Sequence, residues 1–352
     1  MPSRLLRSAA LAALLLPASA LAQTERFTLA GPEVAVYNLV GTLKVEGGSG
    51  SDVVVEVTRV GRDAQRLTIQ RGDVRGRPAV RILYPEDRIV YARDGGYNSR
   101  STFNVSDDGT FGDDDHRGWD RGRRIEVRSG GDGFEAHADI RVTVPKGKAV
   151  YLRHGMGETT IDNVDGRLNV SVAAARVRAS RVRGAMTLDT GSGGVEITDM
   201  TGDLNLDSGS GGATLDGVRG GKLNMDIGSG SLRGRAIDVT ELVADVGSGG
   251  IRLSDVKTPR LHLETGSGGS DVELLGPVQD VQIEAGSGGV TLRLPANLGA
   301  TVDIETGSGG IDTDFEVKVQ RMERHALRGT VGDGRGRVRI EAGSGTVRLL
   351  KR

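Results

Sequence analysis

The sequence predicts an all-β fold, a β-solenoid with coils of about 19 residues and Gly-Ser-Gly turns. Three observations carry that expectation. The tripeptide begins at Gly191, Gly209, Gly228, Gly247, Gly266, Gly286, Gly307 and Gly343, in steps of 18, 19, 19, 19, 20, 21 and 36 residues. Around each copy, apolar residues alternate with polar ones, the period of a strand with one buried face. No helical half-repeat and no Asn ladder accompanies the period, so leucine-rich repeats fit poorly.

At the N-terminus, Arg4 and Arg7 precede an apolar run at 9–16, then Pro17 and Ala20-Leu21-Ala22. This pattern predicts a secretory signal peptide over 1–22, too short to span a bilayer. The mature chain is expected in the periplasm or outside the cell, with no integral membrane segment after cleavage. It has no cysteine, which excludes disulfides, thiol chemistry and a lipidated cysteine. Lys and Arg number 46 against 47 Asp and Glu; loss of Arg4 and Arg7 leaves 44 against 47, net −3. A near-neutral chain offers no electrostatic footprint for nucleic acid.

Residues 23–148 are expected to form an N-terminal β region, with strands at 34–40, 42–46, 53–60, 67–70, 80–84 and 140–144. Gly48-Ser49-Gly50 reads as an early copy of the turn. Between 93 and 136 the composition shifts to Gly, Asp, Arg and Ser, which predicts a disordered, mobile loop. Solenoid repeats are expected over 149–352. Two weaker coils open them, with turns at His154-Gly155-Met156-Gly157 and at Ala173-Ala174-Ala175.

In the clear coils, Met186/Leu188, Leu204/Leu206, Leu223/Met225, Leu261/Leu263, Val281/Ile283, Val302/Ile304 and Val338/Ile340 precede the turn. Val195/Ile197, Ala213/Leu215, Ile251/Leu253, Val290/Leu292 and Val347/Leu349 follow it. Nineteen residues at ~3.3 Å each make a path of roughly 60 Å, one coil, and coils would stack at ~4.8 Å. Turn glycines would supply φ > 0 at one corner of every coil. The 36-residue step before Gly343 is read as a degenerate coil through Arg328-Gly329-Thr330-Val331-Gly332-Asp333-Gly334. The architectural alternative is a β-propeller, two units to a four-stranded blade.

The serial Leu-x-Leu-Asp-x-Gly-Ser-Gly units, such as Leu204-Asn205-Leu206-Asp207-Ser208-Gly209-Ser210-Gly211, resemble the "putative adhesin" families of bacterial exported proteins, of the DUF4097 and DUF2807 type. The ending from Leu327-Arg328-Gly329 through Gly343-Ser344-Gly345-Thr346-Val347-Arg348-Leu349 adds to the resemblance, which covers roughly residue 34 to the C-terminus. It implies a single-stranded parallel β-helix and an adhesin-like role, and it supplies no catalytic residues. The Asp/Arg-rich stretch at 93–136 departs from the family pattern.

Two residues before each turn stands an acid: Asp189, Asp207, Asp226, Asp245, Glu264, Glu284, Glu305 and Glu341. By parity with the apolar ladder these point outward. Adjacent carboxylates at ~4.8 Å repel by somewhat under 1 kcal/mol in water. One reading is a solvated face that resists edge-to-edge aggregation. The other is a row that binds divalent cations or a partner's cationic surface. A calcium roll needs a nine-residue period, and Asp113-Asp114-Asp115 lacks EF-hand spacing.

No Gly-x-x-x-x-Gly-Lys-Ser/Thr is present, and Gly-Ser-Gly-Gly is not a nucleophile elbow. The five histidines, His116, His137, His154, His262 and His325, share no zinc spacing. Aromatics are absent from 152 to 314, whereas Tyr91, Tyr97, Phe103, Phe111 and Trp119 could build a sugar-binding patch from the inserted loop. The sequence therefore points to an exported, non-catalytic scaffold with no cofactor and no metal, facing an envelope or extracellular protein or glycan. The alternatives are a periplasmic regulatory or sensor partner and a polysaccharide-active β-helix enzyme.

Overall fold

The computed structural model describes residues 24–92, 100–112 and 122–352; the signal peptide expected over 1–22 lies outside them. Among the described residues, twenty-four strands form one sheet system and three more form a second, small sheet. The single helical element among the described residues is the 3-10 turn Ala64–Arg66.

Strand pairing follows the sequence period. Leu168 pairs with Met186, Met186 with Leu204, Leu204 with Leu223, Leu223 with Leu242, and Leu242 with Leu261, all in parallel register. After the turn, Val195, Ala213, Leu232, Ile251, Ser270 and Val290 continue a second column. Every apolar pair flanking a turn in the sequence is buried, so the columns fill a continuous β-solenoid-like interior. Each such side chain contributes roughly 1.5–3 kcal/mol by leaving water.

The stack begins earlier than 149. Glu33–Gly48 pairs in parallel with Lys148–Asp162, placing Leu39-Val40-Gly41 beside Gly155-Met156-Gly157. Gly48-Ser49-Gly50 therefore starts at the last residue of that strand, away from the turn register, and is not a copy of the repeat turn. The three-alanine turn also behaves differently, because Gly166–Ser180 runs through it as one unbroken strand. On the far side of Glu33–Gly48, Arg77–Leu83 and His137–Pro145 add in parallel, and antiparallel strands Val53–Val60, Thr24–Leu29 and Thr68–Val74 close that end.

The expected disordered loop at 93–136 is largely structured where it is described. Arg100–Val105 and Arg123–Arg128 pair antiparallel, and Arg88–Val90 joins them. Phe103, Val105, Ile125, Val127 and Phe134 are buried there, because short alternating segments sit inside the polar composition. Residues 93–99 and 113–121, which include Tyr97, Trp119 and the Asp113-Asp114-Asp115 run, lie outside the described residues.

At the C-terminus, sequence order and spatial order part. The last unit, Gly336–Ala342 and Val347–Lys351, pairs on one side with Asp280–Ala285 and Val290–Leu294. On the other side it pairs with Ala300–Thr306 and Ile311–Thr313. It is thus inserted between two units that are consecutive in sequence. The stretch at 328–334 is not a degenerate coil. Ala326–Val331 runs antiparallel on Ala300–Thr306, Lys318–Glu323 pairs antiparallel with it, and this hairpin closes the end.

The turn glycines do not supply φ > 0; none of those at the eight Gly-Ser-Gly copies falls in the left-handed region. Their role is close approach. A Cβ at Gly209 would stand 2.7 Å from the Gly191 carbonyl oxygen, and one at Gly211 would overlap the Gly193 carbonyl outright. The left-handed corner is the polar one, held by Asn163, Arg181, Asp199, Gly217, Ala236 and Asp255 at φ between 52° and 72°. Alanine there lacks the side-chain hydrogen bonds that let Asn and Asp tolerate this region. Ala236→Gly is expected to stabilise the fold by ~0.5–1 kcal/mol, read as a raised denaturation midpoint.

Candidate functional site

The strand before each turn presents three outward columns. Two residues before the turn, register places Asp189, Asp207, Asp226, Asp245, Glu264, Glu284, Glu341 and Glu305 in one row, in that spatial order. All eight are at least partly exposed, as parity requires. Ser171 and Arg153 extend the row at its start.

The next column holds Asn169, Thr187, Asn205, Asn224, Val243 and His262. The third runs Asp203, Lys222, Glu241, Arg260, Asp280, Arg337. These alternate in sign along the whole column, and the Lys222 backbone N–H donates to Asp203 Oδ1 at 2.9 Å. Lys222 Nζ lies 3.4 Å from a Glu241 carboxylate oxygen, and Arg260 reaches the same oxygen at 3.6 Å. That column neutralises itself.

The acid row does not. Glu284 accepts a hydrogen bond from Gln282 Nε2 at 2.8 Å, and Glu341 is paired with Arg339. Between the row's ends, Asp207, Asp226, Asp245 and Glu264 make no ion pair and no side-chain hydrogen bond among the described residues. Asp189, Asp207, Asp226 and Asp245, with Asn205 and Asn224, line an open groove of about 480 Å³. A smaller depression of about 380 Å³ continues it across Asn205, Asn224, Lys222 and Glu241.

One end of the groove is walled by Arg153 and by Gly112, which comes from the small sheet's loop. Arg153 donates to Asn169 Oδ1 at 2.7 Å and to the Leu152 carbonyl at 3.2 Å. The face can therefore bind a cationic or hydrogen-bonding ligand along a rigid sheet. The amide column and Arg153 were readable from the same alignment as the acids, four and two residues before each turn, but nothing in the letters singled them out.

Among the described residues no three His, Asp or Glu side chains converge as a metal site. A column spaced by the strand repeat spreads its carboxylates instead of gathering six to eight oxygens around one ion. Of the aromatics that could have served sugars, Tyr91 and Phe103 are buried, and Phe111 packs edge-on to Tyr37 with centroids 6.1 Å apart. Among the described residues no helix is long and apolar enough to cross a membrane.

The histidines remain dispersed where they are described. His154 is fully buried, and its Nε2–H donates to the Gly41 carbonyl at 3.1 Å, which leaves Nδ1 to accept the Thr159 hydroxyl at 2.8 Å. Burial pushes its pKa down to about 4. Between pH 6.5 and 4 the unfolded chain takes up a proton at this site that the folded chain refuses. Stability conferred by the neutral ring is therefore present above pH 6.5 and is lost as pH falls towards 4, by up to about 3 kcal/mol. Denaturant melts at pH 7 and pH 4.5 are expected to show a larger loss for the native chain than for His154→Val, a residue already used by the register neighbour Val172.

A solved structure of a "putative cell adhesion protein" from Clostridium sporogenes ATCC 15579 is 12% identical, with 94% of this chain and 99% of that chain covered and a TM-score of 0.21. No curated protein matches the chain. The family described as Toastrack DUF4097 matches residues 122–350, which takes in the parallel units from Lys148 onward, their turns and the whole acid row. With well over half its length matched, the chain belongs to the Toastrack DUF4097 family.

Proposed function

We propose that this chain is an exported, non-catalytic, adhesin-like scaffold, a single-stranded parallel β-helix that presents its acid-and-amide groove to an envelope or extracellular partner. The observation that supports this reading is the contrast between two columns of one sheet. Lys222, Glu241 and Arg260 compensate one another, whereas Asp207, Asp226 and Asp245 stand uncompensated along an open groove, with Glu264 the next uncompensated acid in the row. Like charges stacked on a strand face destabilise the fold by a few tenths of a kcal/mol per pair. A cationic partner would relieve that repulsion while the sheet keeps the groups aligned.

Retention on envelope or extracellular-matrix preparations tests the proposal. The purified protein is expected to bind at about 0.1 M salt and to elute towards 1 M, as the screening length drops from ~10 Å to ~3 Å. Retention indifferent to salt would contradict it. So would shortening of a polysaccharide incubated with the protein, because that outcome belongs to an enzyme.

A further inference from the structure

The hairpin that closes the C-terminal end leaves one strand edge open. Lys318–Glu323 pairs with Ala326–Val331 on one side, and among the described residues nothing pairs with its other side. All six of its residues are exposed. They include Val319 and Met322, 50% and 76% exposed, the large apolar side chains left in solvent among the described residues. Edges are usually protected by charge and by bulges. A bulge is present at Gln320 on the paired side, yet the open edge carries a valine and a methionine.

The sequence of the strand, Lys-Val-Gln-Arg-Met-Glu, is complementary to itself when reversed. In an antiparallel pair centred between Gln320 and Arg321, Lys318 stands opposite the partner's Glu323, Val319 opposite the partner's Met322, and Gln320 opposite the partner's Arg321. Opposite charges and apolar groups directly across an antiparallel pair are stabilising. Moving one strand two residues, so that Lys318 faces the partner's Arg321, sets like charges against each other.

We propose that this edge is a self-association site, through which two copies of the chain join end to end by antiparallel pairing of Lys318–Glu323. The contact is isologous, so it closes at two copies and does not propagate into a filament. A six-residue edge buries far less than the 1,200–2,000 Å² of a standard interface, so the dimer is concentration-dependent. Joined this way, two copies carry two grooves on one extended body and bind a repetitive surface with the advantage of linkage.

Sedimentation of the full chain over a concentration series tests the site by charge exchange. The native chain is expected to approach twice its monomer mass as concentration rises. Lys318→Glu sets two carboxylates against each other across the pair, Glu323→Lys sets two ammonium groups together, and each variant alone is expected to weaken the dimer tenfold or more. Mixed in equal amounts, the two variants bring opposite charges together again and are expected to recover the native dimer. A native chain that stays monomeric at millimolar concentration overturns the proposal. So does a dimer unaffected by either single change, or a mixture that fails to recover.

Discussion

Replacing Gly211 by valine is expected to cost ~3 kcal/mol or more, or to prevent the stack from forming. A Cβ at this position meets the Gly193 carbonyl, with the Gly193 carbonyl carbon at 2.6 Å and its nitrogen at 3.0 Å. The obstacle is backbone of the neighbouring unit, held on both sides by the parallel ladder, so no side chain can swing aside. Gly194 supplies the control within the same turn family. Its Cβ would meet nothing within 4 Å and its φ is not left-handed, so Gly194→Ala is expected to stay within ~0.5 kcal/mol of the native chain. Equilibrium denaturation of both variants reads the difference; equal effects would remove close approach as the reason for the repeat.

Truncation after Arg335 is expected to be far more damaging than loss of a terminal repeat. In a simple array the last unit touches one neighbour, and its removal leaves the rest intact. Here Gly336–Ala342 and Val347–Lys351 lie between two units, and Val338, Ile340, Val347 and Leu349 are fully buried. Their removal uncovers Val281, Ile283, Val290 and Leu292 on one side and Val302 and Ile304 on the other. Hydrogen exchange in the truncated chain is expected to lose protection throughout 280–313, with a milder version, about 3 kcal/mol, for Ile340→Ala. Retained protection at 280–313 would mean that the two flanking units pair without the inserted one.

Why these features escaped the sequence reading differs case by case. The inward columns and the outward acid row were legible because a strand's period of two and a nearly constant step fix the phase of every residue. Glycine's reason was not legible, since a left-handed corner and a close approach are written with the same letter. The real left-handed corner carries Asn163, Arg181, Asp199, Ala236 and Asp255, with Gly217 its sole glycine, so composition hides it. Periodicity also cannot order units in space: Val338-Arg339-Ile340 has the pattern of its neighbours wherever it inserts. At 93–136 the polar composition outweighed two short alternating segments whose buried residues, Phe103 and Ile125 among them, knit the small sheet to the core. The acids themselves were found from sequence, whereas the lack of partners at Asp207, Asp226, Asp245 and Glu264 is a property of three-dimensional pairing.

Those four unpartnered acids carry the proposed binding. Asp207→Asn, Asp226→Asn, Asp245→Asn and Glu264→Gln, combined in one chain, keep the shape of the face and remove its charge. Binding of this variant to envelope or matrix preparations, measured beside the native chain at equal folded concentration, is the most direct measurement. Retention is expected to fall at least tenfold while the denaturation midpoint holds or rises, because the stacked repulsion is gone. Undiminished retention by a folded variant would contradict the assignment of binding to the acid row.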